Sequence, residues 1–353
     1  MTSDEQVLGA LRQVVHPELG RDLVELGMIK DVDVQDGRVT VTLALPFIDV
    51  PVKGDLVRAI EEAVSKMDSM LQVQVEPVEM TQKERAAFMA VSGKKDARPP
   101  SPVNDIAHVI AVLSGKGGVG KSSVAAMLAV ALRRRGMRVG VLDADITGPS
   151  IPRMFGLHRQ PAMSLLGIMP VETGTGIKVM SINLLLQSED QAVIWRGPLI
   201  SNAIKQFWTD VDWGVLDYLV VDLPPGTSDA SLTVMQSIPL SGVVLVTSPQ
   251  DLAGMVVRKA AQMAQQLGAP IIGLVENMSY VACPKCGERI QVFGPSQAMQ
   301  TAARLGVPLL GQLPLDAGLA CRCDRGEIEE YDAACFEPLV KPLVDRMRVV
   351  CPL

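Results

Sequence analysis

The stretch that most limits the folds open to this chain runs from His108 to Leu128: an apolar run, HVIAVLS, then GKGGVGKS, then SVAAML. Gly115, Gly120, Lys121 and Ser122 fit G-x-x-x-x-G-K-[ST], a strand–loop–helix element that holds phosphate. Glycines let backbone N–H groups curl round an anion with no Cβ in the way. Gly115, Lys116, Gly117, Gly118, Val119, Gly120, Lys121, Ser122 and Ser123 are therefore expected to bind ATP. Lys121 should reach the β- and γ-phosphates and the Ser122 hydroxyl should ligate Mg²⁺. The start of the following helix adds its partial positive charge.

A strand that feeds such a loop belongs in a buried parallel sheet, so further strands and covering helices must follow. They do. HVIAVLS, RVGVLD, IKVMSINLL, DYLVVD, GVVLVTS, PIIGLVEN and PLLGQLP are short apolar runs, most of them separated by helical stretches such as KSSVAAMLAVALRRRG and DLAGMVVRKAAQMAQQLG. Aromatics make up only 3% of the chain, so Val, Leu, Ile, Met and Ala must fill its core. The fold class expected is α/β: a P-loop NTPase with a mainly parallel sheet and helices on both faces, over residues 106–353. Ahead of it, residues 1–80 read as a small α+β domain of order α-β-β-α-β. Ser3 and Gln6 offer a capping box before Val7, Leu8, Leu11 and Val15 at helical spacing. Alternation on both sides of Asp36-Gly37 predicts a hairpin. Residues 81–105 form the linker, with Lys, Pro, Ser and Gly concentrated over 91–105.

Two carboxylate motifs suit the phosphate loop. VLDADITGPS places Asp143 and Asp145 at the C-terminal end of a strand, where ligands of such sheets bind. DYLVVD ends on Asp222. Asp222 is expected to hold Mg²⁺ with Ser122, and Asp145 to orient the attacking water, with Lys116, Lys121 and Asp145 as the catalytic set. Phosphoryl transfer needs mainly positioning and charge neutralisation, so these parts suffice for slow ATP hydrolysis.

Cys283-Pro284-Lys285-Cys286 poses a separate question. The spacing suits half of a tetrahedral metal site, a redox pair or thiolate ligands of an iron–sulfur cluster. Two ligands are missing. Cys321 and Cys323 offer an intrachain zinc site; a second copy of the chain offers another pair across a two-fold axis. Cys335 and Cys351 read as fillers or surface thiols. His16, His108 and His158 lack metal-ligand spacing, and His16 with Gly20 reads as a turn.

The formal charge of −6 and a pI near 5.3 lack the basic footprint of a nucleic-acid binder. No apolar run reaches the roughly 18–20 residues that span a bilayer. MTSDEQ shows no signal peptide, so a cytoplasmic location is expected. A membrane-associating regulatory ATPase would need a basic amphipathic C-terminal helix, and Pro338 and Pro342 are expected to interrupt the tail that would form it.

GKGGVGKS, LDADITGPS, WRGP, DLPPGT, VENMSY and CPKCGE together resemble the Mrp/ApbC type of iron–sulfur cluster carrier ATPase, over about residues 105–330. The first 80 residues resemble the small iron–sulfur assembly domain that often precedes it. Lys116 looks like the second lysine of the deviant loop in the MinD, ParA and nitrogenase iron-protein class. That resemblance implies that Lys116 reaches across a homodimer to the partner's nucleotide, and that Asn277 reads adenine. It implies a dimer that binds a [4Fe–4S] cluster through Cys283 and Cys286, hydrolyses ATP, hands the cluster to apoproteins, and has the cluster assembly machinery as a further partner. Three departures stand out. Val50 before Pro51 replaces a cysteine usual in the stand-alone small domain, Ser228 stands where glycine is usual, and PSQAM follows Phe293-Gly294 where glycines are common.

Overall fold

The computed structural model describes the chain from residue 4 to residue 350, apart from 18, 36, 47–52, 68–71, 82, 86–87, 89–103, 165–166, 187, 189–194 and 196. Ser3, Asp36, Val50, Pro51 and Cys351 thus lie outside the described residues. The chain divides into two compact units. One is Met1–Val103 with Met163–Met169; the other is Asn104–Ala162 with Pro170–Leu353.

The first unit runs α1 (Asp4–Leu11), β1 (Ile29–Gln35), β2 (Arg38–Leu45), α2 (Lys53–Ser65) and β3 (Gln72–Glu79). β1 and β2 form an antiparallel hairpin closed by the Gln35–Arg38 pair, and Gly37 there takes φ +80°, which suits a two-residue turn. β3 adds in parallel to β2. Val39, Val41 and Leu43 point from β2 to one face, and Leu56, Ile60 and Val64 recur every fourth residue on α2, so the two stripes meet in one core. Val15 departs from its expected place: α1 stops at Leu11, and Val15 bridges Asp22 with its side chain exposed. The chain turns there because the Gly20 N–H donates to the His16 carbonyl at 2.8 Å, with Gly20 at φ +61°.

Order in this unit continues past residue 80. The Thr81 N–H donates to Glu84 Oε2 at 2.8 Å and the Glu84 N–H to Thr81 Oγ1 at 3.3 Å, a reciprocal capping box, and Phe88 is buried in the same core.

The second unit adds β4 (Asp105–Ser114), α3 (Lys121–Arg134), β5 (Val139–Asp143), α4 (Ile151–Met154), β6 (Val171–Glu172), β7 (Lys178–Ser181), α5 (Gly197–Thr209), β8 (Val215–Asp222), α6 (Asp229–Ser237), β9 (Gly242–Thr247), α7 (Asp251–Gln266), β10 (Ile271–Ala282), β11 (Arg289–Ile290), α8 (Ala298–Leu305), β12 (Leu309–Pro314), α9 (Ala317–Arg325) and α10 (Glu337–Val350). One nine-stranded sheet has the order β11-β10-β9-β4-β8-β5-β7-β6, with β12 also on β10. Pairing is parallel from β12 to β7; only β6 and β11 run antiparallel. Helices flank the sheet, and α3 is buried at every position from Val124 to Leu132. The apolar runs are continuous because both faces of their strands are covered.

Two expectations change. The run IKVMSINLL is a strand only over Lys178–Ser181; Ile182–Leu185 forms a 3₁₀ turn, with Ser181 Oγ accepting from the Asn183 N–H at 3.3 Å. The C-terminal tail is one helix despite its prolines. Pro338 falls in its first turn, where a missing N–H costs nothing, and the helix runs on through Pro342. Leu339, Val340, Leu343 and Val344 of this helix are buried in the core of the sheet unit, so that face is not available to a membrane.

Candidate functional site

β4 and β8 are neighbours in register, and so are β8 and β5. Asp222 therefore sits level with Val112 on one side and with Asp143 on the other, at the strand ends below the glycine loop. Gly118 and Gly120 take φ +81° and +75°, which L side chains rarely adopt. Gly115 is needed for a different reason. A Cβ there would lie 2.3 Å from the backbone of Val256, so α7 packs directly on the loop.

Lys121 opens α3 and is buried, with Nζ 2.5 Å from Asp222 Oδ1 and 3.3 Å from Ser122 Oγ. Asp222 is also fully buried. Burial raises its pKa, while Lys121 and Ser122 pull it down. Its second oxygen, Oδ2, is buried with no hydrogen-bond partner. A buried carboxylate oxygen left without a donor, beside a serine hydroxyl, is a donor set for a hard cation. Ser122 and Asp222 therefore fit Mg²⁺.

Asp143 is the most heavily bonded acid of the group. It accepts from the Asp145 N–H at 3.2 Å, the Ser150 N–H at 3.2 Å, the Ile151 N–H at 3.3 Å and Ser181 Oγ at 3.2 Å. Burial, then the nearby Asp222 charge, pushes its pKa up to about 8. Asp143 thus ties the start of α4 to β5 and β7. Asp145, half-buried, accepts from Thr147 Oγ1 at 3.0 Å and the Gly148 N–H at 3.1 Å. Lys116 is exposed, and its Nζ donates to Gln250 Oε1 at 3.3 Å. Asn277, on β10, is buried against the loop itself: its amide donates to the Val119 carbonyl at 3.0 Å. Gly120 has no room for a Cβ, which would fall 2.3 Å from that amide nitrogen. Ser228 caps α6, accepting from the Ser231 N–H at 3.4 Å, a role that glycine in its place does not perform.

The cysteine pair lies where β10 leaves the sheet. β10 and β11 form a small hairpin, with Ala282 opposite Arg289. The Gly287 N–H donates to the Cys283 carbonyl at 2.9 Å and the Cys283 N–H to the Glu288 carbonyl at 2.8 Å; Gly287 takes φ +73° to close the turn. The N–H of Lys285, then that of Cys286, and the Cys286 thiol hold the Cys283 thiol below its usual pKa, which favours the thiolate. Cys286 is exposed. The pair sits in a hairpin turn, whereas a thioredoxin-like pair heads a helix.

Among the described residues no three His, Cys, Asp or Glu side chains gather to hold a metal. The four thiols of the intrachain zinc alternative are therefore not gathered here. Cys321 and Cys323 are on α9, away from Cys283 and Cys286. Cys323 is half-buried, its thiol raised by burial and hydrogen-bonded to Ser123 of the phosphate loop helix. That contact, like the burial of Lys121 on Asp222 across 101 residues, carries no signal in sequence spacing. Among the described residues no helix is long and apolar enough to cross a membrane.

Known proteins resemble the chain at both ends. A family described as "ParA: NUBPL iron-transfer P-loop NTPase" matches residues 105–346, and one described as "Iron-sulfur cluster assembly protein" matches residues 4–76. A protein of Synechocystis named iron-sulfur cluster carrier protein is 41% identical over 331 residues, covering 92% of this chain and 91% of its own. One of the same name from Methanocaldococcus jannaschii is 48% identical over 261 residues, covering 72% and 90%. The solved nucleotide-binding protein of Archaeoglobus fulgidus in complex with ADP is 47% identical, covers 66% of this chain and 91% of its own, and superposes with a TM-score of 0.60.

Proposed function

The chain belongs to the iron-transfer P-loop NTPase family of iron–sulfur cluster carriers, and from that premise we propose that it binds and hydrolyses ATP and carries a [4Fe–4S] cluster between two copies of itself. The observation that carries the reading is the cysteine hairpin. It offers two thiols, one held toward the thiolate by backbone N–H groups, on a turn open to solvent. A cluster takes four thiolates. Among the described residues no third ligand gathers near the pair, and a second copy related by a two-fold axis supplies the rest. Ile290, Val292 and Phe293 are exposed beside the pair, an apolar strip that a second copy would cover.

The loop residues Gly115 to Ser123 cradle the phosphates through backbone N–H groups. Lys121 then has two anionic partners, Asp222 and the phosphates, and its Nζ must leave Asp222 to reach the second. Ser122 and Asp222 would hold Mg²⁺, which when bound neutralises charge on the transferring phosphoryl group. Asp145, half-buried just past the end of β5, orients the attacking water, and Lys116, exposed on the loop, reaches the partner's nucleotide. Asn277 fixes the loop through its amide nitrogen and keeps its oxygen for the base. Residues 1–80 form an accessory domain joined by residues 81–105; they bring no thiolate of their own. The recipients are apo iron–sulfur proteins, and the chain works in the cytoplasm.

The test is anaerobic reconstitution followed by visible absorption with iron, sulfide and zinc analysis, and then incubation with an apo [4Fe–4S] acceptor. Brown protein that loses its absorption as the acceptor gains activity supports the reading. Colourless protein with bound zinc refutes it.

A further inference from the structure

One strand joins the phosphate loop to the cysteine pair, and it is not regular. Asn277 holds the Val119 carbonyl at 3.0 Å, and the next residue, Met278, takes φ +58°. Among the described residues it alone, glycines apart, is left-handed. For an unbranched side chain with no local hydrogen-bonding group this conformation is disfavoured and must be held by its surroundings. The Met278 methyl packs against Gly120, 3.3 Å from where a Cβ would be.

The register of β10 on β12 slips at the same place. Glu276 pairs with Gln312 and Tyr280 with Pro314, so four steps on one strand match two on the other. This is a bulge, the kind of irregularity that re-aims a strand next to a site. Side chains lock it. Ser279 Oγ donates to Glu276 Oε2 at 2.7 Å, and Gln312 Nε2 donates both to the same oxygen at 2.9 Å and to Ser296 Oγ at 2.7 Å. Glu276 is buried. Ser296 lies just beyond the cysteine hairpin, so both arms of that hairpin, Tyr280–Ala282 going in and the segment to Ser296 coming out, are tied to Glu276. On the ingoing arm the Arg289 guanidinium also covers the Tyr280 ring at 4.4 Å.

We propose that the bulge from Glu276 to Ser279 is the joint that couples nucleotide at the loop to the grip of Cys283 and Cys286 on the cluster. The proposal rests on the carrier reading above. A bulge has a discrete alternative, because returning Met278 to negative φ moves Tyr280–Ala282 along β12 rather than bending them smoothly. Phosphate entering the loop acts on Val119 and Gly120, which Asn277 and Met278 touch. The shift reaches Cys283 five residues on. Glu276, Met278 and Gln312 are thus positioning residues, remote from the reacting atoms.

Coupling of this kind is reciprocal: nucleotide must change cluster affinity by the factor that cluster changes nucleotide affinity. The experiment measures ADP affinity by calorimetry on the full chain, anaerobically, with and without reconstituted cluster. Wild type should show a ratio of about tenfold, within the usual range for coupled sites. Met278→Gly, which removes the need for a held left-handed residue, and Gln312→Ala, at an exposed position, should each bring that ratio to within about twofold. Iron content and the ADP affinity of cluster-free protein should stay as in wild type. A merely structural role would lower thermal stability and leave the ratio alone. Full coupling in both folded variants, or a wild-type ratio of one with iron bound, overturns the joint while leaving the carrier reading in place. Failure of wild type to bind any iron takes down both.

Discussion

The phosphate loop and the cysteine hairpin lie at opposite ends of one short run of β10, yet they are built in opposite ways. The loop is enclosed. Lys121 and Asp222 are buried on each other, and a methyl group at Gly115 or Gly120 would collide at 2.3 Å. The hairpin is open. Cys286 and the residues after it to Phe293 are exposed, and a methyl group at Gly287 or Gly294 would meet nothing within 4 Å. The buried core of the first, Lys121 with Asp222 and Ser122, is built from one chain, whereas among the described residues the second shows only two thiols. Two thiols on an exposed hairpin with an apolar strip beside them are what the proposed pairing of two copies would use.

The sharpest way to break this contrast is at the hairpin. Cys283→Ala or Cys286→Ala should abolish iron binding completely while ADP affinity and thermal stability stay as in cluster-free wild type, since neither side chain supports the core. Cys321→Ala and Cys323→Ala should leave iron content unchanged. Iron lost at all four positions would mean that the chain does finish its own metal site.

At the enclosed site the expected losses are smaller but still large. Lys121→Ala should weaken ATP binding by about 100-fold, in line with up to ~3 kcal/mol for a hydrogen bond to a charged group. Calorimetry checks this, and affinity within threefold of wild type would remove Lys121 from phosphate recognition. Asp145→Ala should keep ATP affinity and lose hydrolysis in a steady-state assay.

Lys116 tests whether even the enclosed site borrows from a second copy. Neither Lys116→Ala nor Asp145→Ala chains should hydrolyse ATP alone. If Lys116 acts on the partner's nucleotide, mixing them places both defects on one site of each heterodimer and leaves the other whole. About a quarter of wild-type activity should return, since random pairing makes half the dimers mixed. No recovery would put Lys116 on its own chain's nucleotide.

How legible each site was follows from the same contrast. The glycine loop, the parallel strands and Asp222 were readable because each is a local pattern: an apolar run covered on two faces, a glycine spacing, an acid at a strand end. The cysteine pair was readable as a Cys-x-x-Cys turn, but what else joins it was not, since nothing in the chain's local order brings further thiols to it. What stayed hidden depends on contact between distant segments. Nothing in ENMSY announces a left-handed methionine, because no glycine or proline marks it. Asp143 read as one of two acids near a strand end; its hold on Ser150, Ile151 and Ser181 appears only when β5 and β7 pair. The edge strands β6 and β11 are two residues each, too short to carry a period. The Thr81–Glu84 capping box just past residue 80 went unread because it stands next to a stretch rich in Lys, Pro, Ser and Gly.

The smallest effect expected is in pH. A carboxyl raised to about 8 when folded binds its proton more tightly folded than unfolded, so Asp143 supports stability below its ordinary range and that support is lost as pH climbs toward 8. Thermal melting of nucleotide-free protein should therefore fall modestly between pH 5 and pH 8, on the order of a few degrees. Asp143→Asn should flatten that slope, and an unchanged slope would assign it elsewhere.

The central claim, that each chain binds its own nucleotide while the cluster is held only by a pair of chains, is tested most directly by counting. Native mass spectrometry of the anaerobically reconstituted protein reads chains and cluster in one mass. The account predicts two chains holding a single [4Fe–4S] cluster, about four irons and four sulfides, with one nucleotide per chain when ADP is added. A single chain retaining a complete cluster, or one zinc in every chain, would contradict it.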